Sequence, residues 1–380
     1  MEMERELQKL KKDLSEKCSS CGLCIKECPF LQEIGEDIAS IALRGPRVEE
    51  AYSCSLCGLC ARVCPLNLSP QELFRLTRKQ AVDQGLLEID DFSYLLPDRP
   101  YNVNSAYREA YGIGYENLRL NTQGVAAFFP GCTMLTYSPL LTKGLYYQLE
   151  TVYPEITLVS DCCGLPLYQL GLQQRGDNYL KKLAEKFDRL QVRYLVVACP
   201  NCFYQLQPLL APTQIKVLTV YQALAASKLW RLPLMPEKEE LITIHDSCPD
   251  RWQGIFARQA REALKRKGYK IAEMEHNREY SICCGSGGQI SHTRPDLAEE
   301  LIKSRLKEAK DCGATILAGY CLACVLNLAR IPNDAQLKIR HVLNLLSGLD
   351  EDYSQVKIQA RKIFDGPQGE ELWQKVVAGG

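Results

Sequence analysis

Short apolar runs that stop abruptly at a cysteine recur four times along this chain. Val125–Phe129 and Leu241–Ile244 each lead into a cysteine, and Tyr194–Ala198 and Thr315–Ala318 each lead into a C-x-x-C pair. Apolar runs of this length predict buried strands. Between them lie stretches such as Asp177–Leu190 and Pro295–Ala309, where apolar residues recur every three or four positions, the period of an amphipathic helix. Strand, helix, strand with cysteines at the strand ends predicts an α/β site, because open parallel sheets bind ligands beyond the carboxyl ends of their strands. The C-x-x-C pairs should then stand at helix N-termini, where the positive end of the helix dipole lowers thiol pKa.

The first 83 residues follow a helical pattern without strand signals. Leu7, Leu10 and Leu14 form one stripe, Leu31–Leu43 a second, cut off by Gly45-Pro46, and Ser69–Asp83 a third. A leucine stripe of this kind reads as intramolecular packing first and as a partner-docking face second. Residues 84–123 are rich in Tyr, Asn, Pro and Gly, including Leu96-Pro97-Asp98-Arg99-Pro100, and read as a linker that wraps the domains together. A further boundary is expected near Pro233–Glu240.

The cysteines say what this frame carries. Eighteen of the nineteen fall into four sets. Two are C-x2-C-x2-C-x3-C-P runs: Cys18, Cys21, Cys24, Cys28 before Pro29, and Cys54, Cys57, Cys60, Cys64 before Pro65. This is the bacterial ferredoxin spacing, in which three close thiolates hold one cubane and the fourth cysteine ligates the other. By that rule Cys18, Cys21, Cys24 and Cys64 hold one 4Fe–4S cluster, and Cys54, Cys57, Cys60 and Cys28 the second. Gly22 and Gly58 let the backbone bend around sulfur. A zinc site usually needs only two C-x-x-C pairs, which leaves the third cysteine of each run without a purpose. Disulfides between cysteines this close would be strained.

The other two sets are an internal repeat. Cys132, Cys162, Cys163 with Gly164, Cys199 and Cys202 are followed by Cys248, Cys283, Cys284 with Gly285, Cys321 and Cys324. Gaps of 29 and 34 residues precede the cysteine pairs, and gaps of 35 and 36 follow them, which implies two structurally equivalent modules. The expected fold is therefore α+β and multi-domain: an N-terminal α-helical ferredoxin-like domain (1–83), the linker (84–123), two repeated α/β CCG modules (124–236 and 237–345) and a C-terminal helical tail (346–380).

Composition narrows the setting. The 380 residues carry 46 basic and 46 acidic side chains with 46% apolar content, enough for two or three domains with real cores. No charge bias points to nucleic acid or an anionic membrane surface. The start, MEMERELQKLKKDLSEK, is charged throughout and lacks the apolar region of a secretory signal. The longest mainly apolar stretch, Thr315–Ala329, is too short to span a bilayer. A cytoplasmic protein is expected, with any membrane attachment through a partner.

The duplicated Cys…CCG…C-x-x-C pattern resembles the cysteine-rich modules of the heterodisulfide reductase B subunit, and the leading double-cluster region resembles its C subunit. Fused in one chain, they resemble the D subunit of the membrane-associated heterodisulfide reductase. The arrangement is also similar to iron–sulfur subunits of anaerobic glycerol-3-phosphate dehydrogenase and glycolate oxidase. The resemblance covers residues 15 to 330. It implies that each CCG module holds a noncubane 4Fe–4S cluster, one through Cys132, Cys162, Cys163, Cys199 and Cys202, the other through Cys248, Cys283, Cys284, Cys321 and Cys324. It implies further that a disulfide is cleaved between the two. Both modules are intact here, whereas several related electron-transfer proteins have one degenerate module. This favours disulfide reduction or thiol oxidation, with electrons from a flavoprotein or other donor subunit and a membrane-bound cytochrome or quinone-linked subunit as a further partner.

Three alternatives stay open. Zinc held by four of five thiolates is a second reading for a CCG module. The C-x-x-C pairs could be thioredoxin-type redox pairs, which leaves the adjacent cysteines unexplained. The modules could also act only as a relay between a flavoprotein dehydrogenase and a quinone-linked partner. Among other residues, His245 beside Cys248 reads as a packing or second-sphere group before a proton donor. Tyr137, Asp161, His276 and His292 are near the motifs in sequence only. Gly285-Ser286-Gly287-Gly288 lacks the spacing of a nucleotide loop and is expected to let backbone amides approach sulfur. No nicotinamide or flavin motif is present, so a partner must supply electrons from any hydride donor. Cys312 reads as a small buried residue at a helix end.

Overall fold

The apolar runs that end at cysteines are strands, and they assemble into two separate parallel sheets of the same topology. The structure, a computed structural model, describes residues 2–225, 227, 240–332 and 337–379. In the first sheet β1 (Ala126–Phe129), β2 (Thr157–Leu158), β3 (Tyr194–Val197) and β4 (Lys216–Thr219) lie in the order β2-β1-β3-β4. In the second, β5 (Leu241–His245), β6 (Lys270–Ile271), β7 (Ile316–Gly319) and β8 (Lys338–His341) lie in the order β6-β5-β7-β8. All pairings are parallel. Every residue of β1 and β7 is buried, as expected where both faces of a parallel sheet are covered by helices.

The periodic stretches are helices: Gln173–Arg189 joins β2 to β3, and Pro295–Asp311 precedes β7. A single apolar cluster runs through both sheets. Phe256 helps to knit it, with its ring 5.5 Å from Phe203 of the first sheet's unit and 6.1 Å from Tyr320 beside the second.

Among the described residues the N-terminal 83 are helical and contain no strand. Leu7 and Leu14 of helix Glu2–Lys17 are buried with Ile41, Leu73 and Phe74, so that stripe packs within the chain. The stretch Leu31–Leu43 is not one helix. Helix Pro29–Ile34 ends at Gly35 in the left-handed conformation (φ 71), and Asp37 then accepts the Ser40 amide at 2.9 Å to cap helix Ile38–Arg44.

Residues 84–123 are not structureless: they hold a 3-10 turn, Ile89–Leu95, and helix Val103–Ala110. The segment is pinned by an Asp98–Arg175 ion pair at 2.8 Å and by Tyr115, which donates to the Leu135 carbonyl at 2.9 Å. The C-terminal helix Gly366–Ala378 returns to it, with Trp373 5.4 Å from Tyr94 and Lys375 2.9 Å from Glu109. The boundary expected at 233–240 lies, apart from Glu240, outside the described residues.

The second sheet's unit docks on the N-terminal helices. Arg294 reaches Glu33 at 2.8 Å, His276 lies 3.0 Å from Glu27, and Thr293 donates to the Tyr52 carbonyl at 2.7 Å. No helix among the described residues is long and apolar enough to cross a membrane.

Candidate metal centres

Both N-terminal cysteine runs wrap in the same way. Each passes through two left-handed residues, Ser20 (φ 52) and Gly22 (φ 77) in the first, Leu56 (φ 54) and Gly58 (φ 74) in the second. Such turns point successive backbone amides inward, as in anion-binding nests. The Leu56 amide lies 3.4 Å from the Cys54 sulfur. Cys18, Cys21, Cys24 and Cys64 line one pocket. Cys28 stands instead with Cys54 and Cys57, and the three surround Cys60. Each group of neighbouring sulfurs thus draws one cysteine from the other run.

In each sheet unit the cysteines lie beyond the carboxyl ends of the strands. Cys132 opens the helix after β1, Cys162 and Cys163 follow β2, and Cys199 caps helix Pro200–Leu210 after β3 with Cys202 in its first turn. Their thiols touch in the order Cys132, Cys162, Cys163, Cys202, Cys199. In the second unit the order is Cys248, Cys283, Cys284, Cys324, Cys321. Two further contacts join the sets: Cys57 meets Cys283, and Cys199 meets Cys321.

The C-x-x-C pairs do open helices, but their shifts follow neighbouring thiols and burial, and Cys199 and Cys202 are both pushed well above the ordinary thiol range. Cys321 is held below the ordinary thiol range by its hydrogen bonds from Cys199 and Cys324, while Cys324 is pushed well above it by its bonds to Cys284 and Cys321 and by burial. At the N-terminal runs burial is the largest influence. It pushes Cys24 up to about 11 and Cys54 up to about 12, with neighbouring thiols adding to the rise. Four or five buried sulfurs in contact cannot all ionise unless a cation neutralises them. A sulfur-ligated metal therefore fits the donor sets. The backbone leaves space for sulfur as well: a Cβ on Gly131 (φ +92) would lie 3.1 Å from the Cys202 sulfur.

His245 sits deeper than its sequence position implies. It is fully buried, neither ring nitrogen has a hydrogen-bond partner among the described residues, and one lies within 4.8 Å of the Cys284 and Cys324 sulfurs. Burial, reinforced by the Arg305 charge, pulls its pKa down to about 3, so it is a neutral imidazole and not a proton donor of the imidazolium kind. The other candidates near the motifs are structural. Tyr137 packs on Tyr107 at 4.8 Å, Asp161 pairs with Lys186, His276 bridges Glu308 and Glu27, and His292 meets the Tyr94 hydroxyl at 3.0 Å. Cys312 ends its helix with its sulfur 3.2 Å from the Ala309 carbonyl.

Several residues that hold these sites have no sequence signal. Asp246 accepts from both terminal nitrogens of Arg261 at 2.7 and 2.8 Å and from the Arg278 amide at 2.6 Å. Asp250 accepts from the Phe256 and Ala257 amides and from Tyr320, which also receives the Ser247 amide. Together they fix the turn that carries Cys248. Asn327 donates to the Cys284 carbonyl, and Asn201 lies 3.6 Å from the Cys321 sulfur. The glycine cluster does bring an amide to sulfur, Gly285 to Cys283 at 3.3 Å. It also lets the N-terminal loop approach, since a Cβ on Gly288 would lie 2.4 Å from the Cys54 carbonyl oxygen.

Residues 126–207 and 242–329 match the family model of the CCG cysteine-rich domain, and residues 14–68 match the 4Fe–4S dicluster domain. The chain belongs to the heterodisulfide reductase D-like, CCG-domain iron–sulfur proteins. The D subunit of dihydromethanophenazine:CoB–CoM heterodisulfide reductase from Methanosarcina barkeri is 28% identical over 232 residues, 56% of this chain and 55% of the relative. The B subunit of fumarate reductase (CoM/CoB) from Methanothermobacter marburgensis is 26% identical over 368 residues, 89% of this chain and 72% of the relative. Lactate utilization protein A 1 from Bacillus mycoides is 23% identical over 240 residues, 58% of this chain and 96% of the relative. The chain thus spans little more than half the length of the heterodisulfide reductase relative from Methanosarcina barkeri.

Proposed function

We propose that this CCG-domain protein is the iron–sulfur component of a larger redox complex and that it reduces a disulfide or, in reverse, oxidises a pair of thiols. Cys18, Cys21, Cys24 and Cys64 would hold one cubane 4Fe–4S cluster and Cys28, Cys54, Cys57 and Cys60 the other. The two five-cysteine sets would each hold a noncubane cluster. Such clusters supply single electrons, and two of them side by side supply the pair that a sulfur–sulfur bond requires. The balance is one disulfide, two electrons and two protons giving two thiols. Electrons come from a partner, a flavoprotein or a membrane-bound cytochrome, because no nicotinamide or flavin motif is present in the sequence.

The observation that carries this reading is continuity of sulfur. The second N-terminal set touches the second CCG set at Cys57 and Cys283, and the two CCG sets touch at Cys199 and Cys321. A relay reading has one observation in its favour: Cys199 and Cys321 meet directly, so a disulfide entering between the modules must part them.

Iron, sulfide and zinc per chain in anaerobically purified protein come first. Roughly sixteen irons without zinc support four four-iron clusters, whereas roughly eight irons, with zinc or empty sites, sink the noncubane assignment. Small disulfides and thiols are then added, and the spectra of the CCG centres are recorded. A spectral change confined to those centres supports reduction at the paired modules. No change, with the centres redox-active, leaves the relay.

A further inference from the structure

Two arginines are buried where the second N-terminal cysteine run meets the second CCG unit, and neither is paired with a carboxylate among the described residues. Arg78, with none of its surface exposed, donates Nε to the Ala51 carbonyl at 2.8 Å. Its terminal nitrogens go to the carbonyls of Gln169 at 2.6 Å, Gly288 at 2.8 Å and Cys54. Its guanidinium lies 4.8 Å from the Tyr52 ring centre. Arg251 donates Nε to the Cys57 carbonyl at 3.0 Å and its terminal nitrogens to the carbonyls of Glu279 and Ser281. Each arginine therefore ties a residue of the Cys54–Cys57 loop to the segment that carries Cys283.

Four neutral carbonyls satisfy most of a guanidinium's five donors but leave its charge without a counter-ion, which is strongly unfavourable in a dry interior. Burial pulls Arg78 down to about 10, with Cys54 and Tyr52 opposing the fall. Four thiolates around a four-iron cubane leave a net negative charge that grows by one on reduction. A fixed cation beside such a site favours the reduced form.

We propose that Arg78 and Arg251 are positioning residues for the junction between the Cys28/Cys54/Cys57/Cys60 site and the second CCG site. They hold Cys57 against Cys283, and their positive charge makes the first of these sites easier to reduce than its Cys18/Cys21/Cys24/Cys64 counterpart. This rests on the iron–sulfur assignment above. The glycines facing the loop belong to the same device: Gly287 and Gly288 have Cβ positions 2.6 Å and 2.4 Å from the Ser55 and Cys54 carbonyl oxygens, so the segments meet backbone to backbone.

The test uses the full chain with its clusters, comparing Arg78→Gln, Arg78→Lys, Arg251→Gln and Arg251→Lys by iron content and by redox titration followed with electron paramagnetic resonance. Both glutamine variants are expected to keep their iron and to lower the midpoint potential of one cubane signal while leaving the other in place. The lysine variants should restore much of that shift. Weaker magnetic coupling between that cubane and the second CCG centre should accompany every variant, because the carbonyl fork is lost in all four. Unchanged potentials and coupling in iron-replete glutamine variants overturn the proposal. Should Arg78→Gln fail to accumulate, Arg251→Gln decides alone by the same criteria. Cys60→Ser separates the two levels: if it costs no iron and no cubane signal, the cluster assignment itself fails, whatever the arginines do.

Discussion

Gly288 is the position at which one methyl group should do most damage to the junction. Its φ of +58 lies in the left-handed region, which costs an L-residue about 1–2 kcal/mol. An added Cβ would also stand 2.4 Å from the Cys54 carbonyl oxygen and 2.9 Å from the Ser55 carbonyl carbon, both backbone atoms that cannot swing aside. Moving that loop is an overpacking cost of about 1–3 kcal/mol. Gly348 provides the control: its φ is +67, and a Cβ there meets nothing within 4 Å, so Gly348→Ala carries the backbone term alone. Gly288→Ala should therefore be less stable than Gly348→Ala by about 1–3 kcal/mol, a factor of about 5–150 in the unfolding equilibrium. Anaerobic guanidinium unfolding of both variants, followed by circular dichroism and by cluster absorbance, reads the difference. Equal midpoints for the two would refute the claim that the glycines exist to let the loop approach.

Three further outcomes are expected. Cys283→Ser should remove about four irons per chain and leave the signals of the N-terminal centres intact; loss of every signal together would break the grouping of ligands. His245→Phe gives the second unit the residue that the first has at the matching place, Phe129, and should shift the potential or spectrum of one CCG centre without loss of iron; an unchanged spectrum would make His245 mere packing. His341 accepts the Leu343 amide through Nδ1 at 3.2 Å, and burial pulls its pKa from 6.5 to about 4. With the folded value depressed, the unfolded chain binds the proton first, so stability is complete above pH 6.5 and falls as pH drops toward 4. From pH 7.5 to 5.5 the loss is about 1.4 kcal/mol, and His341→Asn, which keeps a capping acceptor, should lose that much less when melting is compared at the two pH values.

The parts of this molecule that are legible in its sequence are those encoded locally. Apolar runs such as Tyr194–Val197 and the period of Pro295–Asp311 give their elements away because burial on one face or two imposes a pattern on neighbouring residues. Cysteine spacing announces which sulfurs meet within a run or a module. Gly35 escapes notice because one glycine inside an apolar stretch reads as a tolerated defect, although it ends one helix and frees Asp37 to start the next. Helix Val103–Ala110 hides in a segment whose composition suggests a loop, and it is held there by partners from the far end of the chain such as Lys375. Arg78 and Arg251 are invisible for a different reason. An arginine in a sequence predicts solvent, and only long-range packing reveals that these two donate to carbonyls more than 20 residues away.

The two CCG units share a topology but not a chemistry at their strand tips. Where β5 and β8 end in His245 and His341, β1 and β4 end in Phe129 and Thr219, matched through the same register with β7 and β3. The N-terminal region touches both units: Tyr52 donates to the Leu170 carbonyl and Arg78 to the Gln169 carbonyl of the first, while the second carries the Cys57–Cys283 contact and the Arg251 clamp, and the two units meet through Cys199 and Cys321. The register matches the tips position for position, so the two buried histidines are additions to a frame that closes without them in the first unit. The sulfur contact with the N-terminal runs is made by Cys283 of the second unit, and on the reading proposed above that unit is the one that exchanges electrons with the N-terminal centres.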